Sequence, residues 1–352
     1  MYVAGTRRQV VDERAGGTSM PRDPELSVVV PTYDRPEIIQ ALLDRLARQT
    51  LAPDRFEVVT VDDGSTTPVR PRTSQLAYPL TLLRQDNAGP GAARNLAFEH
   101  CRAPLALILN DDAVPADDLL ERHLAIHRES PARTAVLGTF TFTPNALASP
   151  FVQLLATSDL LFDFPRLRHG ATLDWRFFWT CNISLPLAPI QQVGGFDAET
   201  FPGPLMEDVD LGYRLGQQGW RVLYRGDARC GHEHRLTAQS YLERIRLYGK
   251  YLVRMWRKYD DPGVLGVANA DQIGPALQRA QLQYEALRET LPRALERLDE
   301  FERTHAGREV PPTTLQDVGR VVSAVRAVPM GRGIALGLHC LLYTSPSPRD
   351  PE

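Results

Sequence analysis

Short apolar runs, each ending at polar or turn residues, recur through the first third of the chain. They are rich in valine, leucine and isoleucine, and they lie at 26–30, 56–61, 80–83 and 105–109. The run at 105–109 is unbroken, which is typical of a strand that is buried on both faces, and the run at 26–30 is rich in β-branched residues, which favour strands. We therefore predict four strands in this region.

Apolar residues at helical spacing separate these runs. The first such set is Ile38, Ile39, Leu42, Leu43 and Leu46. This spacing predicts a helix, and Pro36 suits its first turn. A second helix is predicted around 92–95. Strands that alternate with helices predict an α/β fold with a doubly wound, mainly parallel sheet and right-handed crossovers.

Beyond residue 115 the same reasoning predicts further helices and two more strands. The helices are expected at 116–128, 207–219, 237–258 and 272–303, and the strands at 135–138 and 221–224. Residues 1–24 have no apolar period, so we expect a disordered tail there. The chain then divides into an α/β domain at 25–235 and a helical C-terminal extension at 236–339.

The last residues have an unusual composition. The segment 340–350 can be back-translated into what looks like a transposon-library sequencing adapter. We therefore expect residues 340–352 to be an artefact and the natural C-terminus to be missing, and we exclude this segment from fold reasoning.

Composition excludes several classes of protein. The net charge of −3 gives no overall signature of nucleic-acid binding. The cysteines are scattered and form no metal or disulfide framework, which favours a reducing compartment. No apolar run approaches the ~18 residues of a membrane span, and no signal peptide is evident. These features predict a cytoplasmic protein.

An aromatic segment at 149–181 allows two interpretations. Its aromatic residues are Phe151, Phe162, Phe164, Trp175, Phe177, Phe178 and Trp179. Aromatics at this density line either a hydrophobic core or a sugar-binding cleft, and a core is favoured.

Acidic residues follow the predicted strands where a ligand would bind. Asp111 and Asp112 come directly after the run at 105–109. In an open α/β sheet, ligands bind beyond the carboxyl ends of the strands. Hard divalent cations take carboxylate ligands together with the phosphates of a substrate. A polar loop after a core strand is the alternative explanation of these two acids in isolation.

Four blocks of sequence occur together in a characteristic order. They are Val-Val-Val-Pro-Thr-Tyr-Asp-Arg at 28–35, Val-Asp-Asp-Gly-Ser at 61–65, Leu-Asn-Asp-Asp at 109–112 and Glu-Asp-Val-Asp-Leu at 207–211. This series resembles the family 2 glycosyltransferases with the GT-A fold, over roughly residues 25–258. The resemblance implies a GT-A-type sheet that binds a nucleotide-sugar and transfers the sugar with inversion.

The resemblance also implies roles for individual residues. Pro31 and Tyr33 match the loop that wraps the nucleotide base, Asp63 matches the acid that binds the base, and Arg94 matches a residue beside the nucleotide. A carboxylate suits the base because the imide of uracil is a hydrogen-bond donor.

The metal-binding motif departs from the family pattern. Asp112 matches the last acid of the D-x-D motif, the usual ligand of a divalent cation (Mn²⁺ or Mg²⁺), whereas Asn110 occupies the first position. Asn110 brings no charge but can bond a ribose hydroxyl or the metal. His232 resembles the family histidine that completes the site, with His234 as the alternative.

The block at 207–211 matches the family segment that supplies the catalytic base. The resemblance implies this role for Asp208. Residues two apart on a helix do not share a face, so Asp208 and Asp210 are not expected to point into the cleft together. Glu207 and Asp210 are then expected to be structural, one as a cap and the other facing neighbouring loops.

Two other functions stay open. A metal-dependent nucleotidyltransferase would need a glycine-rich, basic phosphate loop after the first strand, and 31–34 is not one. A non-catalytic nucleotide-sugar or glycan-binding module would not need Glu207 and Asp208.

The expected partners are a nucleotide-sugar, with UDP-linked donors first, and a glycan or lipid-linked acceptor. Six basic residues lie in the predicted helix at 237–258: Arg244, Arg246, Lys250, Arg254, Arg257 and Lys258. They could contact the inner face of an anionic membrane, although a solvated helix face is favoured.

Overall fold

The computed structural model describes residues 8–11, 23–162, 164–265, 282, 291–326 and 330. These residues divide into two compact units. The first unit lies within 1–143 and 166–234, and the second within 144–165 and 235–352. The segment 144–165 thus groups with the C-terminal helices, although the sequence predicted it to be part of the α/β domain.

The first unit contains ten described strands and five α-helices. The elements before residue 143 are β1 (Arg8–Val11), β2 (Leu26–Thr32), α1 (Pro36–Leu46), β3 (Phe56–Asp62), β4 (Leu80–Gln85), α2 (Pro90–His100), β5 (Leu105–Leu109), β6 (Ala113–Pro115), α3 (Leu119–Glu129) and β7 (Thr134–Phe142). Helix α4 (Pro150–Ala156) follows in the chain and belongs to the second unit. The first unit then continues with β8 (Thr172–Leu173), β9 (Asn182–Pro186), α5 (Leu187–Gln192), α6 (Glu207–Gln217) and β10 (Arg221–His232).

The second unit is helical. Besides α4, its helices are α7 (Ala238–Tyr259), α8 (Pro262–Leu265), α9 (Leu291–His305) and α10 (Pro312–Val325). The predicted helix at 272–303 is seen only from residue 291 onward, because 266–281 and 283–290 lie outside the described residues. Among the described helices, none has the length and apolar character to cross a membrane.

The described strands form a single sheet in the order β1-β4-β3-β2-β5-β9-β7-β10-β6, with β8 paired to β10. The predicted strands β2, β3, β4 and β5 are mutually parallel. Their side chains are almost entirely buried, as continuous apolar runs require. The prediction of a doubly wound, mainly parallel α/β sheet is confirmed.

One strand interrupts the parallel order. β9 lies antiparallel between β5 and β7, although β7 precedes it in the chain. β7 in turn pairs with β10 in parallel. Consequently β2, β3, β5, β7 and β10 all run in the same direction and end at the same edge of the sheet. We call this the carboxyl edge; β9, which runs the other way, begins there.

Three differences from the sequence prediction concern β1, β10 and β6. Arg8–Val11 pairs antiparallel with β4, where we expected no structure. Residues 1–7 and 12–22 of the predicted tail, and 340–352, lie outside the described residues. β10 extends to His232 rather than ending at Tyr224. β6 pairs with the end of β10. These pairings depend on distant partners, which local patterns do not reveal.

Candidate functional site

The carboxyl edge of the sheet carries most of the residues singled out from the sequence. Thr32 ends β2, Asp62 ends β3, and Asn110 follows β5 directly. His232 is the last residue of β10. Because these strands are parallel, residues far apart in sequence come together at this edge, where open α/β sheets bind ligands.

Strand pairing explains why a histidine lies next to Asp112. In the β6–β10 ladder, His232 is opposite Ala113, the residue after Asp112. The backbone N–H of Glu233 then donates to the carbonyl of Asp112 at 2.9 Å. This register brings both His232 and His234 to the Asp112 carboxylate.

The Asp112 carboxylate and the two imidazoles form a compact donor cluster. His234 Nδ1 lies 2.9 Å and His232 Nε2 3.6 Å from Asp112 Oδ2. One ligand atom from each residue can be chosen so that all lie within 4.8 Å of one another. Asp112 Oδ1 is buried and has no hydrogen-bond partner among the described residues. The sequence offered these histidines as alternatives, and the structure brings both to Asp112.

Aromatic rings surround His232. Phe140 and Phe142 stack on its imidazole, with ring centroids 4.3 Å and 5.1 Å away. His234 stacks on it as well, at 5.2 Å. This packing limits the orientations that the imidazole of His232 can take.

The two adjacent acids have opposite electrostatic environments. Burial, followed by the charge of Asp112, raises the pKa of Asp111 to about 6. Burial also acts to raise the pKa of Asp112, but hydrogen bonds and charge interactions with His232 and His234 outweigh it and hold that pKa well below its usual range. Both carboxylates are therefore largely anionic at pH 7, but Asp111 takes up a proton as the pH falls through about 6, whereas Asp112 keeps its charge.

Arg35 joins the two acids and was not assigned a role from the sequence. Its Nη1 lies 3.1 Å from Asp111 Oδ1 and 3.3 Å from Asp112 Oδ2. Thr32 Oγ1 also donates to Asp111 at 2.9 Å. Arg35 is the last residue of the sequence block at 28–35 and lies shortly after the end of β2. This position could have identified it from the sequence.

Asp63 organises the loop before α2. Its carboxylate accepts hydrogen bonds from Gln85 Nε2 at 2.7 Å and from the backbone N–H groups of Ala88 and Gly89 at 3.0 Å and 2.9 Å. Burial raises its pKa. A carboxylate offers about four acceptor positions, so Asp63 keeps some capacity for a further donor.

The loop after β2 is fastened to the loop after β3. Asp34, which has a φ of 52°, donates its backbone N–H to Ser65 Oγ at 2.8 Å and accepts from the backbone N–H of Thr66 at 2.6 Å. Tyr33 stays 47% exposed, and Pro31 is half-buried. These two hydrogen bonds fix the backbone directly after the exposed Tyr33.

Arg94 lies inside a buried cluster. Its guanidinium donates to Glu207 Oε1 at 3.1 Å and to Asn110 Oδ1 at 3.3 Å. It also lies 5.4 Å from the centre of the Phe196 ring. Glu207 thus pairs with Arg94 rather than acting as the expected cap. The cluster connects the loop after β5 with the first turn of α6.

The acids of α6 have different surroundings. Asp210 is fully buried and pairs with Arg214, whose guanidinium also donates to the carbonyls of Val193 and Gly195. Asp208 is half-buried, and its Oδ1 accepts from the backbone N–H of Val209 at 2.8 Å. Asp210 therefore supports the loop at 193–195, and Asp208 is the more accessible of the two.

The donor cluster fits a divalent metal ion. One carboxylate and two imidazoles are ligands that Mn²⁺ and similar divalent ions accept. Asp112 Oδ1, a buried carboxylate oxygen without a partner in the described part of the chain, is an atom that a bound cation would satisfy. Asp112, His232 and His234 can therefore hold a metal.

Comparison with known proteins identifies relatives of the chain. Residues 27–180 match the family model described as "Glycosyl transferase family 2". Validoxylamine A glucosyltransferase of Streptomyces hygroscopicus subsp. limoneus is 33% identical over 250 residues, which cover 62% of this chain and 54% of that protein. Pre-mycofactocin glycosyltransferase of Mycobacterium tuberculosis is 26% identical over 245 residues, 66% of this chain and 47% of that protein. The chain spans about half the length of these relatives.

Solved structures share the fold at low sequence identity. The mannosyltransferase PcManGT from Pyrobaculum calidifontis, solved with GDP-Man and Mn²⁺, has a TM-score of 0.51 and 18% identity, covering 92% of this chain and 89% of that one. S. aureus TarS 1-349 has a TM-score of 0.51 and 17% identity, covering 92% and 93%.

Proposed function

We propose that this chain is a family 2 glycosyltransferase with the GT-A fold, and that it transfers a sugar from a nucleotide-sugar to an acceptor hydroxyl with inversion. The match of residues 27–180 to the family model supports the proposal. The observation that carries the proposal is the cluster of Asp112, His232 and His234 at the carboxyl edge of the sheet.

The residues around Asp112 hold the donor diphosphate in this proposal. A divalent cation, Mn²⁺ or Mg²⁺, bound by Asp112 with His232 or His234, would stabilise the negative charge of the departing nucleoside diphosphate as a Lewis acid. Arg35 can donate to phosphate oxygens from the same side, since its guanidinium already contacts Asp111 and Asp112. Asn110 is a neutral partner for a ribose hydroxyl.

Asp208 acts as the general base. Its carboxylate takes the proton from the acceptor hydroxyl while the acceptor oxygen bonds to the anomeric carbon. The bond from that carbon to the diphosphate oxygen breaks on the opposite face, so the anomeric configuration inverts and the electron pair leaves with the nucleotide. Asp210, held by Arg214, supports the helix from the other side.

Substitution of the base tests this mechanism. We expect Asp208→Asn to lower the transfer rate about 10²–10⁴-fold, because general-base catalysis contributes this much, while nucleotide affinity is unchanged. The measurements are turnover, nucleotide titration calorimetry and the anomeric configuration of the product by NMR. Near-normal turnover of Asp208→Asn, or loss of turnover in a folded Asp210→Asn variant, would contradict the assignment.

The donor is proposed to be UDP-linked, with GDP- or dTDP-linked sugars as alternatives. Asp63 can accept from the imide of uracil, and the exposed Tyr33 beside it can cover a base. The structurally similar mannosyltransferase was solved with GDP-Man, so GDP is the main competitor.

A screen of nucleotides by thermal shift in the presence of Mn²⁺ tests the choice of donor. Bound ligand raises the melting temperature according to its saturation of the folded state. We expect UDP and UDP-sugars to give the largest rise. A rise with only GDP or dTDP compounds would reverse the ranking.

The acceptor is proposed to be a glycan, a small glycoside-like molecule or a lipid-linked sugar. Two of the relatives are named as glycosyltransferases of validoxylamine A and of pre-mycofactocin. A metal-dependent nucleotidyltransferase would release pyrophosphate from a nucleoside triphosphate, and a non-catalytic module would bind a nucleotide-sugar without hydrolysing it. Assays of donor hydrolysis and pyrophosphate release separate these functions.

A further inference from the structure

The aromatic segment 174–181 enters the sheet at the carboxyl edge. It leads directly into β9, whose first residue Asn182 is paired with Leu109. Leu109 is the residue before Asn110, so the segment reaches the sheet beside the loop that carries Asp111 and Asp112. A succession of tight turns within the segment, including the backbone bonds from Phe178 to Trp175 and from Trp179 to Phe177, fixes its path.

The same segment packs against α6. A Cβ added to Gly212 would lie 2.4 Å from Phe178 Cβ and 2.7 Å from the carbonyl oxygen of Trp175. A Cβ added to Gly216, one turn further, would lie 3.2 Å from Trp175 Cβ. Residues four apart share a helix face, so the face of α6 that receives the segment is also the face of Asp208.

An electrostatic effect agrees with this placement. Burial, then the neighbouring Cys230 and the charge of Asp208, raise the pKa of the Cys181 thiol well above its usual range. The charge of Asp208 therefore affects Cys181, which lies at the end of the segment directly before β9.

The aromatic residues of the segment divide into two groups. Phe178 is 2% exposed, and Trp175 packs edge-on against Tyr213 with ring centroids 5.1 Å apart. Both serve the packing of α6. Phe177 and Trp179 are half-buried, and their rings lie 5.3 Å apart at 49°. Two neighbouring rings that keep part of their surface in water offer an apolar face for a ligand.

We propose that Phe177 and Trp179 form a stacking surface for the acceptor, and that the acceptor presents a saturated, hydroxylated six-membered ring, that is, a sugar or a cyclitol. The C–H face of such a ring packs on the aromatic rings, while its hydroxyl groups stay hydrated and one of them faces Asp208. This inference rests on the proposed transferase function and names the class of its acceptor.

Ligand-observed NMR tests the stacking surface without relying on turnover. The probes are validoxylamine A, methyl α-glucoside and myo-inositol, each added with UDP and Mn²⁺. For the wild type we expect saturation transfer to be strongest at the ring C–H protons. Trp179→Ala should weaken binding about tenfold, in the range that aromatic contacts contribute, and Trp179→Phe should keep most of it.

Trp220 provides the matched control. It is also a half-buried tryptophan, but it follows α6 at the end opposite to Asp208. Trp220→Ala should bind the probes as the wild type does, and thermal unfolding checks that both alanine variants are folded. Equal binding by Trp179→Ala and wild type, or no binding of any probe to the wild type, overturns the proposal. If the proposed transferase function is wrong, the wild type will neither hydrolyse a nucleotide-sugar nor transfer its sugar, and this result is distinct from the binding results.

Discussion

Asp112 combines several contacts at a single carboxylate. Arg35 approaches it from the end of β2, and His232 and His234 approach it from the end of β10. The charge of a buried carboxylate is costly unless it is paired, and these groups supply the pairing. A cation bound at this position would compete with the contacts that the protein itself makes.

The first prediction concerns metal affinity. Asp112→Asn removes the anionic ligand, and we expect the affinity for Mn²⁺ to fall on the order of 10–100-fold or more. Asp111→Asn, which changes the neighbouring acid bound by Thr32 and Arg35, should weaken Mn²⁺ binding much less. Calorimetric titration of Mn²⁺ in the presence of UDP measures both. Equal losses in the two variants would contradict the assignment of Asp112.

Single residues were predicted from the sequence with uneven success. The strand that precedes Asp112 was enough to predict its position at the carboxyl edge, because ligands of an open α/β sheet bind beyond the strand ends. The proposed role of Asp112 came from the family resemblance. The partners of Asp112 could not be found in this way. The contact with Arg35 depends on how its side chain turns, and the choice between His232 and His234 depends on the register of β6 and β10. The burial of Arg94 against Glu207 likewise depends on packing between distant segments.

At the scale of elements, a buried network fastens α3 to β9. His123 Nδ1 lies 2.7 Å from Ser184 Oγ, and His123 Nε2 lies 3.0 Å from Asn182 Oδ1. His127 Nε2 lies 2.8 Å from the same Ser184 hydroxyl. Asn182 Nδ2 donates onward to the carbonyls of Thr139 and Ala228, so the network also reaches β7 and the irregular part of β10.

This network predicts a dependence of stability on pH. Burial lowers the pKa of His123 to about 3 and that of His127 to about 4, from 6.5. The charges that act on His123 are His127, which lowers its pKa further, and Asp227, which raises it. The unfolded chain therefore binds protons that the folded chain does not bind. Stability is full above pH 6.5 and is lost as the pH falls from there towards 4. Between pH 7 and pH 5 each histidine costs about 2 kcal/mol of unfolding free energy.

A variant isolates this contribution from that of the carboxylates. His127→Gln keeps a polar side chain but removes one titrating group. Between pH 7 and pH 5, the wild type should lose about 2 kcal/mol more unfolding free energy than this variant does. Urea denaturation at both pH values gives the comparison. Identical pH dependence in the two proteins would show that His127 is not kept neutral by the fold.

Whole-molecule organisation was partly predictable. The alternation of strands and helices was sufficient to predict the parallel strands from β2 to β5, and helical spacing predicted α7. The position of β9 and the grouping of 144–165 with the C-terminal helices were not predicted. Both depend on contacts between residues far apart in the chain, and no local pattern distinguishes an antiparallel strand at the centre of a parallel sheet.

Membrane contact is a property of the whole protein. The apolar residues of α7, such as Tyr251, Leu252 and Met255, are buried, and Arg246 pairs with Glu243. With a net charge of −3, we expect the protein to float equally little with anionic and neutral liposomes. Clear flotation with phosphatidylglycerol vesicles at physiological salt, reduced in an Arg254→Gln, Arg257→Gln variant, would establish a basic membrane-binding face instead.

The position of β9 determines the order in which the sheet can be completed during synthesis. β5 leaves the ribosome well before its neighbour β9, and β7 also precedes β9, although β9 separates the two in the sheet. Until residue 186 has emerged, β5 keeps one apolar strand edge without a partner and β7 keeps both, because its other neighbour β10 is later still. Unpaired edges of this kind promote association between chains. Nascent chains that end between residues 142 and 182 are therefore the stage at which this protein most needs a chaperone, and truncation within that interval should yield aggregates rather than a smaller folded domain.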